Sequence, residues 1–306
     1  MTKVIAIVTG YGGHLGTGHI QRAVSMAWYL NTLPDVKCVI WSMKPAALFP
    51  EEVLQYFAEP GSEHPGLIIR DMRDSTAEEI QELQRSAKVL VLDDLGEGRN
   101  TADWHIDLLP NPEPGSINDF QFQQRHFVFG YNFLTSMLNQ QVAETDGTID
   151  VFFYGGDDPD PRYEKKILGL LPEHSVCAVA SNNKFSFVRD GVAADTLVGS
   201  YGELLLASKT VITHFGILVY EALLTGASVI TINPSRYHSS LADLIAQKSS
   251  IINMGTRDSF DENKLREHLD RILHAAGTVK PGPAEVYAEA VGNLERFSRL
   301  ILDCIA

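Results

Sequence analysis

Short, continuous apolar runs alternate along this chain with segments of helical periodicity. Val4–Val8, Lys37–Trp41, Leu67–Arg70 and Val89–Leu92 read as strands. Gln21–Asn31, Pro50–Ala58 and Thr76–Ala87 read as the helices between them. Strands that are apolar at nearly every position are buried on both faces, so the alternation predicts a parallel sheet covered by helices. A loop rich in Pro, Asn and Gly follows at 110–118, and a polar stretch at 139–150. The pattern then restarts. Strands are predicted at Asp150–Tyr154, Val176–Ala180, Val211–Thr213, Ser228–Ile232 and Ser250–Asn253. Helices are predicted at Arg162–Leu171, Glu203–Ala207, Ile217–Thr225 and Leu241–Gln247. Between 284 and 305, Val286, Ala290, Val291, Leu294, Phe297 and Ile301 fall at helical spacing. The fold class expected is α/β, with two doubly wound Rossmann-like domains facing a cleft. Residues 1–147 and 148–283 are the expected domains, with 284–306 a final helix that packs back on the first.

Composition narrows the partners. The 306 residues are 44% hydrophobic and 21% charged, enough apolar material for two cores. A formal charge of −14 argues against nucleic acid or an anionic membrane as partner. Any anionic ligand must then be held locally, by backbone N–H groups and a few cations. Cys38, Cys177 and Cys304 are far apart and lack metal-site spacing, which fits a reducing cytoplasm. No apolar run reaches membrane-spanning length and no secretory leader is read at the N-terminus. The expected location is therefore cytoplasmic, without an integral membrane segment, as a monomer or homodimer.

Candidate chemistry gathers first in the loop after the first strand. Gly10 to Gly18 holds five glycines in nine positions and leads into a predicted helix. Strand, glycine loop and helix is an arrangement that brings backbone N–H groups against a phosphate or sugar. A dinucleotide fingerprint does not fit, because Leu15 occupies the third glycine position and no acid ends the second strand at Trp41-Ser42. No G-K-[ST] follows, which excludes a P-loop. G-x-S-x-G is absent too, and no cysteine sits in a triad context.

The run Leu15-Gly16-Thr17-Gly18-His19-Ile20-Gln21-Arg22 resembles the G-[ST]-G-H-[IV]-x-R signature of the pseudaminic-acid-pathway UDP-sugar hydrolases and the related spore-coat polysaccharide biosynthesis proteins. These are glycosyltransferase-like proteins of GT-B fold. Further segments resemble that group in the same order, over roughly residues 4 to 247. They are Val91-Leu92-Asp93-Asp94, Ala102-Asp103 through Pro110-Asn111, Phe153-Tyr154-Gly155-Gly156-Asp157-Asp158-Pro159, Leu204–Thr213, and Leu218-Val219-Tyr220-Glu221-Ala222-Leu223.

The resemblance implies hydrolysis of a UDP-linked sugar, without a metal or other cofactor, in surface polysaccharide or nonulosonic acid biosynthesis. His19 is then the residue that activates water near the anomeric carbon. A helix N-terminus disfavours an imidazolium, which suits a general base. The bland alternative is a histidine that closes the loop or binds a hydroxyl. Gly16, Gly18 and Asp94 fall on the sugar side. Arg22 has two readings, a contact to a phosphate or carboxylate and a surface salt bridge. Gly155, Gly156, His214, Phe215 and Gly216 fall on the nucleotide side, where helix N–H groups can receive a diphosphate. Glu221, on a helix apolar on nearly every side, is expected to be buried and to hold the two ribose hydroxyls. A carboxylate that caps a helix is the alternative. Bulky His214 and Phe215 depart from the Gly-Gly-Ser or Ser-Ser loops of relatives. His238 stands in place of a polar Asn-Gln segment. Asp158-Pro159-Asp160 formally reads D-x-D, but a capping role at a helix start is the stronger reading there. Two further readings stay open: a glycosyltransferase that uses the same donor, and a nucleotide-sugar binding protein without catalysis.

Overall fold

The computed structural model describes residues 2–12, 17–43, 48–110, 127–138, 149–156, 160–181, 184–189, 192–196, 201–247, 249–275 and 280–305. Two units divide the chain. One comprises Met1–Tyr131 with Glu289–Ala306, the other Asn132–Ala288.

The first unit runs β1 (Lys3–Thr9), α1 (Gly18–Leu30), β2 (Val36–Trp41), α2 (Glu51–Leu54), β3 (Phe57–Ala58), β4 (Leu67–Asp71), α3 (Ala77–Gln84), β5 (Lys88–Leu92) and β6 (Trp104–Ile106). The strands form one sheet in the order β3-β2-β1-β4-β5-β6, parallel throughout. Both faces are covered, as the apolar strands require. Ile20, Ala23, Val24 and Ala27 of α1 are fully buried on one side. On the other, Ile80 of α3 packs with Ala6, Val39, Trp41, Ile68, Val89 and Val91. Burying each large side chain of this set stabilises the unit by about 1.5–3 kcal/mol. Thr76 and Glu79 form a reciprocal capping box that starts α3. The expected helix at 50–58 is instead a single turn, α2, followed by the edge strand β3. Pro50 starts that turn, and β3 is drawn out by pairing with β2. β6 was not expected at all.

The second unit begins within α4 (Tyr131–Leu138) and contains β7 (Ile149–Tyr154), α5 (Pro161–Leu168), β8 (Val176–Ser181), β9 (Lys184–Arg189), β10 (Val192–Thr196), α6 (Tyr201–Ala207), β11 (Ser208–Thr213), α7 (Ile217–Leu224), β12 (Ser228–Asn233), α8 (Arg236–Ala246), β13 (Ile252–Thr256) and α9 (Glu262–Leu273). Its sheet has the order β10-β9-β8-β7-β11-β12-β13. The five strands from β8 to β13 are parallel, while β9 and β10 add an antiparallel meander at one edge. The core joins Val151, Phe153, Ile212, Ile230 and Ile232 of the sheet to Ile167, Leu265 and Leu269 of α5 and α9. α10 (Pro283–Cys304) ends the chain, and its portion from Glu289 onward belongs to the first unit. Leu294, Phe297 and Ile301 are fully buried there, and Tyr29 of α1 lies within electrostatic reach of Glu295 and Arg299.

Each sheet reverses its strand order at one point, between β1 and β4 in the first unit and between β7 and β11 in the second. In open α/β sheets, ligands bind outside the carboxyl ends of the strands at such a point.

Candidate functional site

At the carboxyl edge of the first sheet, four charged or titratable side chains form one buried network. His19 and Arg22 stand on the first turns of α1, three residues apart on one face. Asp71 is the last residue of β4, next to β1. Asp93 follows β5 with a left-handed backbone, φ 52°. The His19 Nδ1 lies 2.8 Å from Asp71 Oδ1. Arg22 donates from Nε to Asp71 Oδ2 at 2.9 Å, from Nη2 to Asp71 Oδ1, and from Nη1 to Asp93 Oδ2 at 2.7 Å. Asp93 Oδ1 accepts in turn from the N–H groups of Leu108 and Leu109, each at 2.7 Å. None of the four is more than 9% exposed.

Burial pushes the Asp71 carboxyl up, but the Arg22 guanidinium and His19 outweigh it, and the group is held well below the usual carboxylate range. Burial likewise works against the charge of Arg22, yet Asp71 and Asp93 raise it further above its ordinary value. An ionised Asp71 accepts from His19 Nδ1, and a neutral ring then carries its lone pair on Nε2. That is the tautomer and orientation of a general base. The N-cap of α1, Thr17, makes no side-chain hydrogen bond, and the first turn that contains Gly18 carries no acid.

Arg22 is therefore neither at the surface nor turned toward an anion from solution: all its described bonds run to two buried carboxylates. The neighbouring Asp94 is fully buried on the opposite face. It accepts from Arg70 Nη1 at 3.0 Å, from Ser75 N at 3.0 Å and from Gly96 N at 2.8 Å. It anchors the loop into α3, while Asp93 is the aspartate that joins the His19 network. Gly16 lies outside the described residues.

The second unit gathers its candidates at its own carboxyl edge. Gly155 and Gly156 follow β7, His214–Gly216 follow β11, Ser235–His238 open α8 after β12, and Arg257 follows β13. Gly156 has φ +104°, and a Cβ there would meet His214 Nε2 and Arg257 Nη2, each at 3.4 Å. The left-handed backbone calls for glycine, while a Cβ would come only into contact with the ends of these two side chains. Arg257 donates to the Gly155 carbonyl and lies over the Tyr163 ring, 4.7 Å from its centre. His214 Nδ1 is 3.0 Å from the Phe215 carbonyl, and its ring lies 6.3 Å from that of His238 and 5.8 Å from that of Tyr154. His238 Nδ1 meets Ser235 Oγ at 2.8 Å. The Phe215 side chain is core, 2% exposed, and its N–H donates to Asn233 Oδ1 at 2.8 Å. The Phe215 side chain is therefore taken up by the core rather than offered to a ligand. Gly216 is the N-cap of α7, whose first turn contains no acid. Glu221 is 2% exposed and accepts from the Tyr201 hydroxyl at 2.8 Å.

Asp160 is the N-cap of α5, with Pro161 after it and Arg162 N donating to its carboxylate at 2.9 Å. Asp157, Asp158 and Pro159 lie outside the described residues. Among the described residues, no group of three or more His, Cys, Asp or Glu is arranged to hold a metal ion. No helix among them is long and apolar enough to cross a membrane.

Sequence reasoning missed Asp71, Arg257, Asn233 and Tyr201, and of the Asp93-Asp94 pair it chose Asp94 as the site residue. For Asp71 a signal existed: an acid that ends the apolar run Leu67-Ile68-Ile69.

No family model and no curated sequence matches the chain. Solved structures do. The kitacinnamycin glycotransferase superposes with a TM-score of 0.60 at 10% identity, covering 100% of both chains. Spinosyn rhamnosyltransferase SpnG, complexed with thymidine diphosphate, gives 0.55 at 10% identity over 97% of this chain and 96% of that one. The Staphylococcus aureus MnaA–UDP co-structure gives 0.53 at 10% identity over 98% and 96%. Likeness at this identity concerns the fold, and the fold is that of GT-B proteins: two Rossmann-like domains, each with its candidate residues at the carboxyl edge of a parallel sheet.

Proposed function

We propose that the chain is an enzyme that acts on a nucleotide-activated, UDP-linked sugar, with His19 as its general base and hydrolysis as its reaction. The observation that supports this reading is the buried His19–Asp71 pair: when Nδ1 donates to the ionised Asp71, Nε2 is the nitrogen left to accept a proton. In this reading Nε2 takes a proton from water as the oxygen bonds to the anomeric carbon. The bond from that carbon to the β-phosphate oxygen breaks, and the nucleoside diphosphate leaves with the electron pair. The second unit receives the diphosphate through the N–H groups at the start of α7, the Gly155-Gly156 turn, His214 and His238, and the ribose through Glu221. Dipoles aimed at the leaving oxygen stabilise its developing charge in the way a bound cation would. The reading also agrees with the resemblance at Gly16–Arg22 and with neighbours of this fold solved with UDP or thymidine diphosphate.

Transfer to an acceptor hydroxyl is the second reading, favoured by the glycosyltransferases among the fold neighbours. It keeps His19 in the same role. Incubation with a panel of UDP-sugars separates the two, since free sugar released without acceptor marks hydrolysis and turnover only with acceptor marks transfer. His19→Ala should abolish turnover while UDP still binds by calorimetry. Glu221→Gln should weaken UDP about 30- to 150-fold, the equivalent of about 2–3 kcal/mol for hydrogen bonds to a charged acceptor. Unchanged turnover in His19→Ala, or no binding of any nucleotide sugar to the parent protein, would sink the proposal.

A further inference from the structure

The network around His19 holds more charge than a base and its orienting carboxylate need. Two carboxylates, Asp71 and Asp93, flank one guanidinium, Arg22, and all three are buried. Two other charged groups of residues lie at this edge among the described residues, and both are paired internally: Arg70 with Asp94 on the opposite face of the sheet, with Glu79 at 3.5 Å from Arg70, and Arg99 with Asp107. Among the described residues, with a neutral imidazole, the cluster of Asp71, Arg22 and Asp93 therefore carries one negative charge without a counter-charge. In a buried site such a charge is costly, and a proton on the adjacent ring balances it.

We propose that Arg22 and Asp93 are positioning residues that set the charge of the His19–Asp71 pair, so that the cluster becomes neutral when His19 takes a proton. Arg22 offsets the negative charge that Asp71 places beside the imidazole. Asp93 restores the pull by placing a second carboxylate on the far side of the same guanidinium. Its own position is fixed by the N–H groups of Leu108 and Leu109, so the charge cannot swing away. The inference rests on the reading of His19 as base for its catalytic meaning, but its electrostatic content does not.

The two flanking residues act with opposite sign, which a purely structural role would not produce. Arg22→Gln leaves two carboxylates beside His19, and Asp93→Asn leaves none unmatched. The test follows the His19 ring by NMR with labelled histidine in the whole protein without substrate, using His19→Gln to assign its signals. The pH midpoint of that titration should move up by about one unit in Arg22→Gln and down by about one unit in Asp93→Asn, as one buried charge is lost in each. Arg22→Lys, which keeps the charge and loses the fork, should return the midpoint close to that of the parent. Where UDP-sugar turnover is measurable, the acid limb of its pH profile should move the same way in each variant.

If Arg22→Gln fails to fold, Asp93→Asn decides alone: a downward move supports the inference and an unmoved midpoint overturns it. Shifts of the same sign in both folded variants overturn it as well. Turnover that survives His19→Gln would overturn the functional reading while leaving the titration result to stand.

Discussion

Replacing Asp71 with Ala tests how much the first unit depends on its buried charges. Asp71 is fully buried and accepts three hydrogen bonds, one from His19 and two from Arg22. Its loss leaves Arg22, 4% exposed, with Asp93 as its one remaining described partner. Removing one member of a buried ion pair costs about 3–5 kcal/mol, because the other keeps its desolvation penalty and loses the interaction that offset it. The three tryptophans, Trp28, Trp41 and Trp104, all lie in the first unit, so their fluorescence reports on that unit alone. Urea unfolding at pH 7, followed by this signal, should show a loss of about 3–5 kcal/mol by linear extrapolation. Arg22→Met should cost a similar amount. The double variant Arg22→Met with Asp71→Ala should cost less than the sum of the two, since Asp71 is then no longer left buried without its guanidinium and Asp93 is the one carboxylate of the cluster that loses its partner. A loss below about 1 kcal/mol for Asp71→Ala, or simple additivity in the double variant, would refute the coupling described here.

Acid should act on the same pair. The folded pKa of Asp71 lies below its unfolded value, so its contribution is present above about pH 4 and is lost as pH falls from there toward the folded pKa. The urea midpoint of the tryptophan signal should drop more between pH 5 and pH 2 in the parent than in Asp71→Ala, and equal slopes would contradict this. Burial raises the thiols of Cys38 and of Cys177, the latter to about 12, whereas Cys304 is only partly covered. A disulfide reagent should therefore titrate one of the three thiols in the folded protein and all three in denaturant. Gly98→Ala would place a methyl group 2.2 Å from Ser75 Oγ and 2.6 Å from the Thr76 carbonyl. The expected cost, by the same fluorescence assay, is about 1–3 kcal/mol, and a neutral result would mean that this loop yields more than its packing implies.

The parallel core strands were readable because burial on both faces leaves an unbroken apolar run, as at Leu67–Ile69 and Val89–Leu92. The meander β9–β10 was not assigned, although Lys184-Phe185-Ser186-Phe187 alternates with the period of a strand. Its pairing is local and antiparallel, and its sequence carries no unbroken apolar run of the kind that marks the parallel core strands. α2 misled for the opposite reason: the 50–58 segment has helical composition, but register with β2 extends its end. His19, Arg22 and Glu221 stood out by residue type in apolar surroundings, and the burial expected of Glu221 is met by the Tyr201 hydroxyl. Asp71 and Asp93 could not be joined to Arg22 from sequence. They lie 49 and 71 positions away along the chain, and only the order of strands in the sheet brings them together.

The interrupted make-up of the first unit bears on how the protein is made. Its strands are contributed by Met1–Tyr131, but Leu294, Phe297 and Ile301, buried within it, are translated after the whole of the second unit. Domains ordinarily mature in the order in which they leave the ribosome, at about 5–20 residues per second. Here the later unit is complete first, and the nascent earlier one waits with part of its apolar surface unclosed, a period in which chaperones have their opportunity to bind.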